Sequence, residues 1–358
     1  MASEQSLHMK TGEGEASYAR NSTTQNAGQN RMKHLIQEAV RSLWKNTNTR
    51  KSVVITDLGC SAGPNALTLV KTAVDAIFHH CSDHKEMVPE ISVLLNDLPD
   101  NDFNDVAKRL HAFQQSTQDC GPVVAAIVPG SFYKKLFTSS SVNLVLSSHS
   151  LNWLSQVPED LKKSRIPVSD KDEGLRKARR PFIVQAFSQQ FRKDFTIFLN
   201  TRAKELAPNG QMVLSMVGRP SSDTAYQSVQ PWDFLFVPLN DMASRGVISR
   251  DILDSFYVPL YGPSDKELME IIQDEGSFKI NNIEVHEQMT GIDKSMQTPK
   301  IRALAARAAF EPTISQHFGR SEGVMDEFVG TIERQLSHVP ASPAGSLLFL
   351  CVSLTKRV

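Results

Sequence analysis

The sequence predicts an α/β protein, with a mostly parallel, doubly wound sheet, helices on both faces and a helical cap. Three observations carry that prediction. Short β-branched or apolar runs alternate with amphipathic helical stretches, the pattern of strand–helix–strand units that build parallel sheets. Gly59 and Gly63 punctuate the passage from the first strand into a helix. Beyond residue 220 the alternation gives way to helical segments, several rich in alanine, before a last apolar strand.

Taken in order, residues 1–28 are polar, poor in core positions, and read as an arm or lid. Leu35, Ile36, Ala39, Val40, Leu43 and Trp44 then recur at helical spacing. Residues 53–55 form a short strand leading into the glycine turn, and a helix over 66–80 presents Leu67, Val70, Val74 and Phe78. Residues 91–96 are the next strand, ending at Asp97 and Leu98. Residues 123–128 are apolar without a break, as expected of a strand buried on both faces. Another strand covers 142–146, and a long helix over 181–207 stops at the turn signal Pro208, Asn209, Gly210. A strand over 212–217 follows, then helices broken at Pro231, Pro238 and Pro259, and two late strands over 278–285 and 347–354. No internal repeat or low-complexity linker divides the chain. The expected organisation is one domain, 1–358. Its arm is 1–28, its core 29–217 with 276–290 and 345–358, and its cap 218–275 with 295–340.

Composition narrows the function. The 358 residues are 40% hydrophobic, enough for a large core, and 39 basic residues balance 39 acidic ones. With neither a basic excess nor a basic stripe, no nucleic-acid partner is expected. No apolar run is long enough to cross a membrane, and the polar N-terminus lacks a signal-peptide core. The four cysteines form no CxxC pair, which favours a reducing, cytoplasmic compartment over a disulfide or zinc framework.

The glycine turn is the first functional signal. Glycines there let a ligand approach the backbone, and the helix that follows offers free N–H groups. Only Gly59 and Gly63 are present where a dinucleotide site wants three glycines, so a nicotinamide cofactor is disfavoured. Asp57 just before the turn, and Asp97 at the end of the next strand, suit S-adenosylmethionine. A tight turn with no ligand is the plain alternative.

Five ordered segments together resemble one family. They are LHMKTGEGEASYARNSTTQ at 7–25, DLGCSAGPN at 57–65, LNDLPDNDFN at 95–104, PGSFY at 129–133 and SSHSLNWLSQVP at 147–158. Looser matches are QQFRKDF at 189–195, GQMV at 210–213 and HFG at 317–319. The chain resembles the plant SABATH methyltransferases, whose members methylate salicylate, benzoate, jasmonate, indole-acetate or xanthines. The resemblance implies a class I, Rossmann-like methyltransferase fold, S-adenosylmethionine as cofactor, a small carboxylic acid as substrate, and a homodimer. Tyr18, Ser22, Cys60, Asn65, Asp97, Leu98, Ser131 and Phe132 match the family's cofactor positions. Gln25 and Trp153 match the pair that holds the substrate carboxylate, and Lys10, His149, Leu151, Asn152 and Trp232 match its pocket lining. His149 is equally readable as a satisfied core histidine, and Lys10 as a solvated charge.

A carboxylate is already ionised at neutral pH, with a pKa of about 4, so the implied displacement needs no general base. No Ser/His/Asp grouping stands out. Departures from the family pattern are Ala62, Asp100, His149, Asn152 and Ala306, and its N-K-G-x-I-Y stretch is not recognisable in 162–181. Tyr257 breaks an Asp-x-Phe-Asn element to which some relatives' magnesium is assigned, so no metal is expected. The alternatives are a xanthine-type N-methyltransferase and a cofactor-binding relative without catalysis.

Overall fold

A computed structural model describes residues 7–45, 51–221, 229–287, 292–319, 321–338 and 347–357. The parts of the expected arm, core and cap that fall in the gaps (1–6, 222–228, 288–290 and 339–346 among them) lie outside the described residues.

The arm carries helix α1, Thr23–Arg31, followed at once by α2, Lys33–Lys45. Strand β1 is Ser52–Leu58; a 3-10 turn at Pro64–Leu67 leads into α3, Thr68–His84. Next come β2, Glu90–Asp97, α4, Phe103–Thr117, β3, Val123–Pro129, and β4, Val142–Ser148. A short α5, Glu159–Ser164, precedes the long α6, Glu173–Glu205, which runs directly into β5, Leu206–Gly218. The cap begins with α7, Asp233–Ser244, α8, Arg250–Asp254, and α9, Asp265–Glu275. Strand β6, Phe278–Glu287, returns to the sheet. Helices α10, Pro299–Phe318, and α11, Glu322–His338, complete the cap, and β7, Leu348–Lys356, ends the chain.

The seven strands lie in the order β3-β2-β1-β4-β5-β7-β6. The first five are mutually parallel, and β7 enters antiparallel between β5 and β6. The chain builds outward from β1 to β3, then crosses back to β4 on β1's other side. That places the topological switch point between β1 and β4, where open α/β sheets bind ligands beyond the carboxyl ends of their strands.

Two apolar clusters fill the two faces. One joins α2, α3 and α4 to the sheet through residues such as Leu35, Val70, Ile77 and Val106. The other joins α6 and the cap through Phe187, Phe191, Phe195, Phe198, Trp232 and Phe256. The four α6 phenylalanines follow each other at spacings of three and four, the helical repeat that keeps one face inward.

Several expectations change in detail. Residues 123–128 form an edge strand rather than a doubly buried one, and Val124 is 52% exposed. Pro208 to Gly210 stops α6 and turns as expected, but the turn lies inside β5: pairing with β4 jumps from Leu206 to Gln211, and Asn209 takes φ 59°. Helix α6 begins well before Pro181, capped by the Asp172 side chain on the Leu175 N–H. Helix α4, unmarked in the sequence reading, is capped in the same way by Asp102.

At the α6–β5 junction Arg202 and Glu205 form an ion pair at 2.8 Å with both side chains wholly buried. Breaking a buried pair leaves an uncompensated charge. Arg202→Met should therefore lower unfolding stability by about 3–5 kcal/mol, read from urea melts; a loss under about 1 kcal/mol would contradict that account.

Candidate active site

The site is assembled from the C-terminal ends of β1, β2, β3 and β4. The Gly59 and Cys60 N–H groups both donate to the Asn96 carbonyl at 2.9 Å, tying the glycine turn to β2. The Asn96 side-chain amide donates onward to the carbonyls of Val128 and Gly130, at 2.7 and 2.9 Å. Ser147 Oγ donates to the Leu58 carbonyl and Ser150 Oγ to the Gly59 carbonyl, which ties the turn to β4. Gly59 has φ 78°, and a Cβ there would stand 2.2 Å from Ser150 Oγ. Gly63 has φ 88°, and a Cβ there would stand 2.8 Å from the Ala19 Cα of the arm. Both positions demand glycine for conformation and for room.

Two acids lie in this cradle. Burial first, and the charge of Asp97 second, push the Asp57 carboxyl well above the ordinary range. Burial also raises Asp97, while the Ser61 and Leu98 N–H groups, bonded to it at 2.6 and 2.7 Å, and His8 pull the other way. Cys60 is buried beside them, and its thiol is pushed well up by burial and by both acids. Asp57 Oδ1, Ser61 Oγ and Asn96 Oδ1 are buried without any hydrogen-bond partner. Such orphaned groups call for a ligand. Orphaned acceptors and two acids without a Lys or Arg partner among the described residues fit S-adenosylmethionine, which brings cationic groups and ribose hydroxyls.

The other cofactor candidates surround the cradle. Ser131 and Phe132 follow β3, and the Phe132 ring lies 3.6 Å from where a Gly59 Cβ would be. Leu98 lies beside the Asp97 carboxylate through its own N–H. Ser22 and Asn65 bond each other: the Asn65 amide donates to Ser22 O and Oγ, both at 2.9 Å, and accepts from Asn26 at 3.0 Å. They clamp α1 onto the turn, and Tyr18 sits in the arm segment just before, its N–H on the Lys10 carbonyl.

The substrate candidates divide. Gln25 on α1 has its Oε1 buried without a partner. Trp153 follows β4, its carbonyl held by the Tyr133 hydroxyl at 2.7 Å and its ring 6.0 Å from Phe310 of the cap. No described residue bonds its indole N–H. His149 also has a buried, unpartnered nitrogen, Nε2. Asn152 departs from the expectation of a pocket wall. Its amide donates to the carbonyls of Val217 and Tyr261 and accepts from the Val217 N–H, so it brackets β5 and the cap and has no donor left for a substrate. Leu151 is core. Trp232 is 1% exposed and packed between Phe187 and Tyr261 inside the cap. Lys10 is ion-paired with Glu311, and its N–H donates to the Ala308 carbonyl. It latches the arm to α10 rather than standing free in solvent.

The sequence reading missed Arg202 and Glu205. Arg202 donates to the carbonyls of Phe132 and Lys134, at 2.8 and 3.0 Å. Glu205 accepts from the N–H groups of Leu136 and Phe137, at 2.7 and 3.0 Å. The pair therefore holds the loop carrying Ser131 and Phe132. The available signal was a charge pair at 202 and 205 continuing the apolar stripe of Phe191, Phe195 and Phe198.

A five-strand parallel sheet extended by an antiparallel β7, with acids at the ends of β1 and β2 around a glycine turn, defines a class I S-adenosylmethionine-dependent methyltransferase. Residues 4–357 match the family model described as SAM dependent carboxyl methyltransferase, and the chain belongs to that family. It is 38% identical to the jasmonate O-methyltransferase of Arabidopsis thaliana, covering 90% of each chain. It is 37% identical, again over 90% of each, to a probable 7-methylxanthine methyltransferase of Camellia ptilophylla. Among solved structures, a loganic acid methyltransferase with SAH superposes with a TM-score of 0.80 at 26% identity, covering 98% of this chain and 99% of that one.

A carboxyl whose folded pKa is raised binds a proton on folding, so its burial weakens the fold as pH rises through that value. A cationic cofactor relieves this cost only where the carboxylates are ionised. S-adenosylmethionine should thus raise the Tm by more as the pH climbs above the ordinary carboxylate range, as thermal denaturation over a pH series would show. The same shift at every pH would remove the two acids from the account.

Proposed function

We propose that the chain methylates the carboxylate of a small, largely apolar plant acid, such as salicylate, benzoate or jasmonate, to its methyl ester. The observation that carries this reading is the pair of donors that bond no described residue beside the cofactor cradle, the Gln25 amide NH2, whose neighbouring Oε1 is likewise buried without a partner, and the Trp153 indole N–H. A carboxylate only accepts hydrogen bonds, and amide and indole N–H groups only have to donate. S-adenosylmethionine supplies an electrophilic methyl group when bound. Tyr18, Ser22, Cys60, Asn65, Asp97, Leu98, Ser131 and Phe132 hold it, directly or by fixing the arm and the loops around it.

The protein's own contribution is geometry and exclusion of water. Gln25 and Trp153 orient the acid so that one oxygen stands at attack distance, roughly 3 Å. Being neutral, they replace water without drawing off the anion's charge as an arginine would. The arm, latched through Lys10 to Glu311, shuts the site against solvent. Phe310 of α10 brings an apolar ring to within 6.0 Å of the Trp153 ring from the cap, which suits an apolar acyl group.

The decisive experiment incubates the protein with methyl-labelled S-adenosylmethionine and a panel of acids plus xanthosine, and identifies labelled products by mass. A methyl ester is the expected product, and Trp153→Phe should lower kcat/KM by about 10- to 100-fold, the effect of one hydrogen bond to a charged group. Label confined to a ring nitrogen would replace this reading with xanthine-type N-methylation. Cofactor binding without any product would point to a relative that lacks catalysis.

We further propose a cytoplasmic homodimer. None of the cysteines forms a disulfide, and no described helix is long and apolar enough to cross a membrane. Leu175, Phe182, Phe234 and Val237 expose apolar surface on α6 and α7, around the Arg180–Asp233 ion pair. Sedimentation velocity should show a dimer that Phe182→Glu with Phe234→Glu converts to monomer; a monomeric parent, or fractionation to a membrane or organelle, would contradict the proposal.

A further inference from the structure

The main chain around Trp153 is bonded at every step. The Asn152 carbonyl accepts from the Tyr261 N–H at 3.0 Å. The Trp153 N–H donates to the Ser150 carbonyl at 3.1 Å, and the Leu154 N–H to the Pro259 carbonyl at 2.7 Å. Two further groups in this run are met by side chains instead. The Trp153 carbonyl accepts from the Tyr133 hydroxyl at 2.7 Å. The Ser155 N–H donates to Asp194 Oδ2 at 2.8 Å, and Ser155 Oγ donates to Asp194 Oδ1 at 2.7 Å.

Neither side chain is the one that packing would choose. Asp194 lies on the inward face of α6, at helical spacing from Phe187, Phe191 and Phe198, and is 2% exposed. No Lys or Arg among the described residues pairs with it; its other bond is from the Gln190 amide, at 3.0 Å. A carboxylate buried among neutral donors costs stability that a leucine in its place would not. What it provides is a fixed Ser155, and it accounts for both buried polar residues of the segment at 189–195. Tyr133 follows Ser131 and Phe132 in the loop gripped by Arg202, its ring 4.8 Å from that of Phe132. Burial, and after it the charge of Asp194, push its phenol well above the usual range, so the hydroxyl keeps its proton and donates.

Resting on the carboxylate reading above, we infer that Tyr133 and Asp194 are positioning residues for Trp153: they pin the main chain at 153 and 155, so that the indole N–H keeps its direction toward the substrate carboxylate. They act through the turn and not on the acid. With the main chain fixed, only the two side-chain torsions of Trp153 remain, and each settles in a staggered or narrow range. Tyr133 reaches the turn from the loop that carries Ser131 and Phe132, so the group that aims the acid's ligand is built into the cofactor side of the site.

The test uses the full-length protein and the fastest-esterified of salicylate, benzoate and jasmonate. Tyr133→Phe keeps the ring and removes one hydrogen bond. It should lower kcat/KM for the acid about 3- to 10-fold, with S-adenosylhomocysteine affinity by calorimetry unchanged. In a Trp153→Phe background the same substitution should add nothing, because the group it aims is already gone. Asp194→Leu should lower kcat/KM by about 10-fold, and Asp194→Asn, which still accepts from the Ser155 N–H, should restore most of it. If Asp194→Leu does not fold, Ser155→Ala, which removes the hydroxyl half of that contact, takes its place in the same cycle with Trp153→Phe. An unchanged kcat/KM in Tyr133→Phe overturns the inference. So does an equal loss in the Trp153→Phe background, or a loss of cofactor affinity, since either makes Tyr133 a support of the fold or of the cofactor loop alone. A Leu variant as active as the parent, or an Asn variant as impaired as Leu, overturns the role of Asp194. A parent protein that binds S-adenosylhomocysteine but esterifies no acid overturns the carboxylate reading, and this inference with it.

Discussion

Asp57 and Asp97 are the constraint around which the rest is arranged. Each is pushed upward by burial, and the charge of Asp97 pushes Asp57 further. A sheet interior would ordinarily exclude such a pair unless each found a cation. Here the folded chain tolerates them at the open ends of β1 and β2, supported by backbone N–H groups and stitched together through the Asn96 and Ser150 side chains. A site built this way is incomplete without a positively charged guest. The glycines at 59 and 63 belong to the same turn, because Ser150 and Ala19 of the arm stand within touching distance of its backbone.

The arm belongs to the site as much as the sheet does. Ser22, Asn26 and Gln29 gather around Asn65 at one end, and Lys10 meets Glu311 at the other. Glu311 is also bonded to Arg307, which reaches Glu322 and Asp326 on α11. The arm thus joins the cofactor turn to both late cap helices through polar contacts rather than apolar burial. Polar contacts at a partly exposed seam add little to stability, and such a seam opens at modest cost.

The local parts of this design were legible in the sequence. A glycine turn after a β-branched run, an acid at the next strand end and a Trp just past a fourth strand are signals that short-range chemistry writes into adjacent residues. What depended on neighbours across the sheet was not. The apolar run at 123–128 reads as doubly buried, yet which strand lies at the edge is set by topology, not by the strand's own residues. Pro208 to Gly210 carries the marks of a turn, and the chain does turn there, but inside a strand whose pairing with β4 resumes only at Gln211, where β7 also begins to pair. Asn152 looked like a substrate contact because its amide is polar and well placed along the chain. Only the approach of Val217 and Tyr261, 65 and 109 residues away in sequence, engages both its donors. Arg202 and Glu205 escaped notice for the same reason, since their partners at 132–137 come from a distant loop.

Helix α6 touches both halves of the site. Near its start Arg180 grips Asp233 of the cap; near its end Arg202 holds the loop beside the cofactor turn. Between those two points runs a single helix of about 33 Å, at 1.5 Å rise per residue. A rod with one end gripping the cap and the other the loop beside the glycine turn is a lever. To whatever extent an acid seated under the cap tilts it, the affinity for cofactor changes, and linkage requires the cofactor to change the affinity for the acid by the same factor.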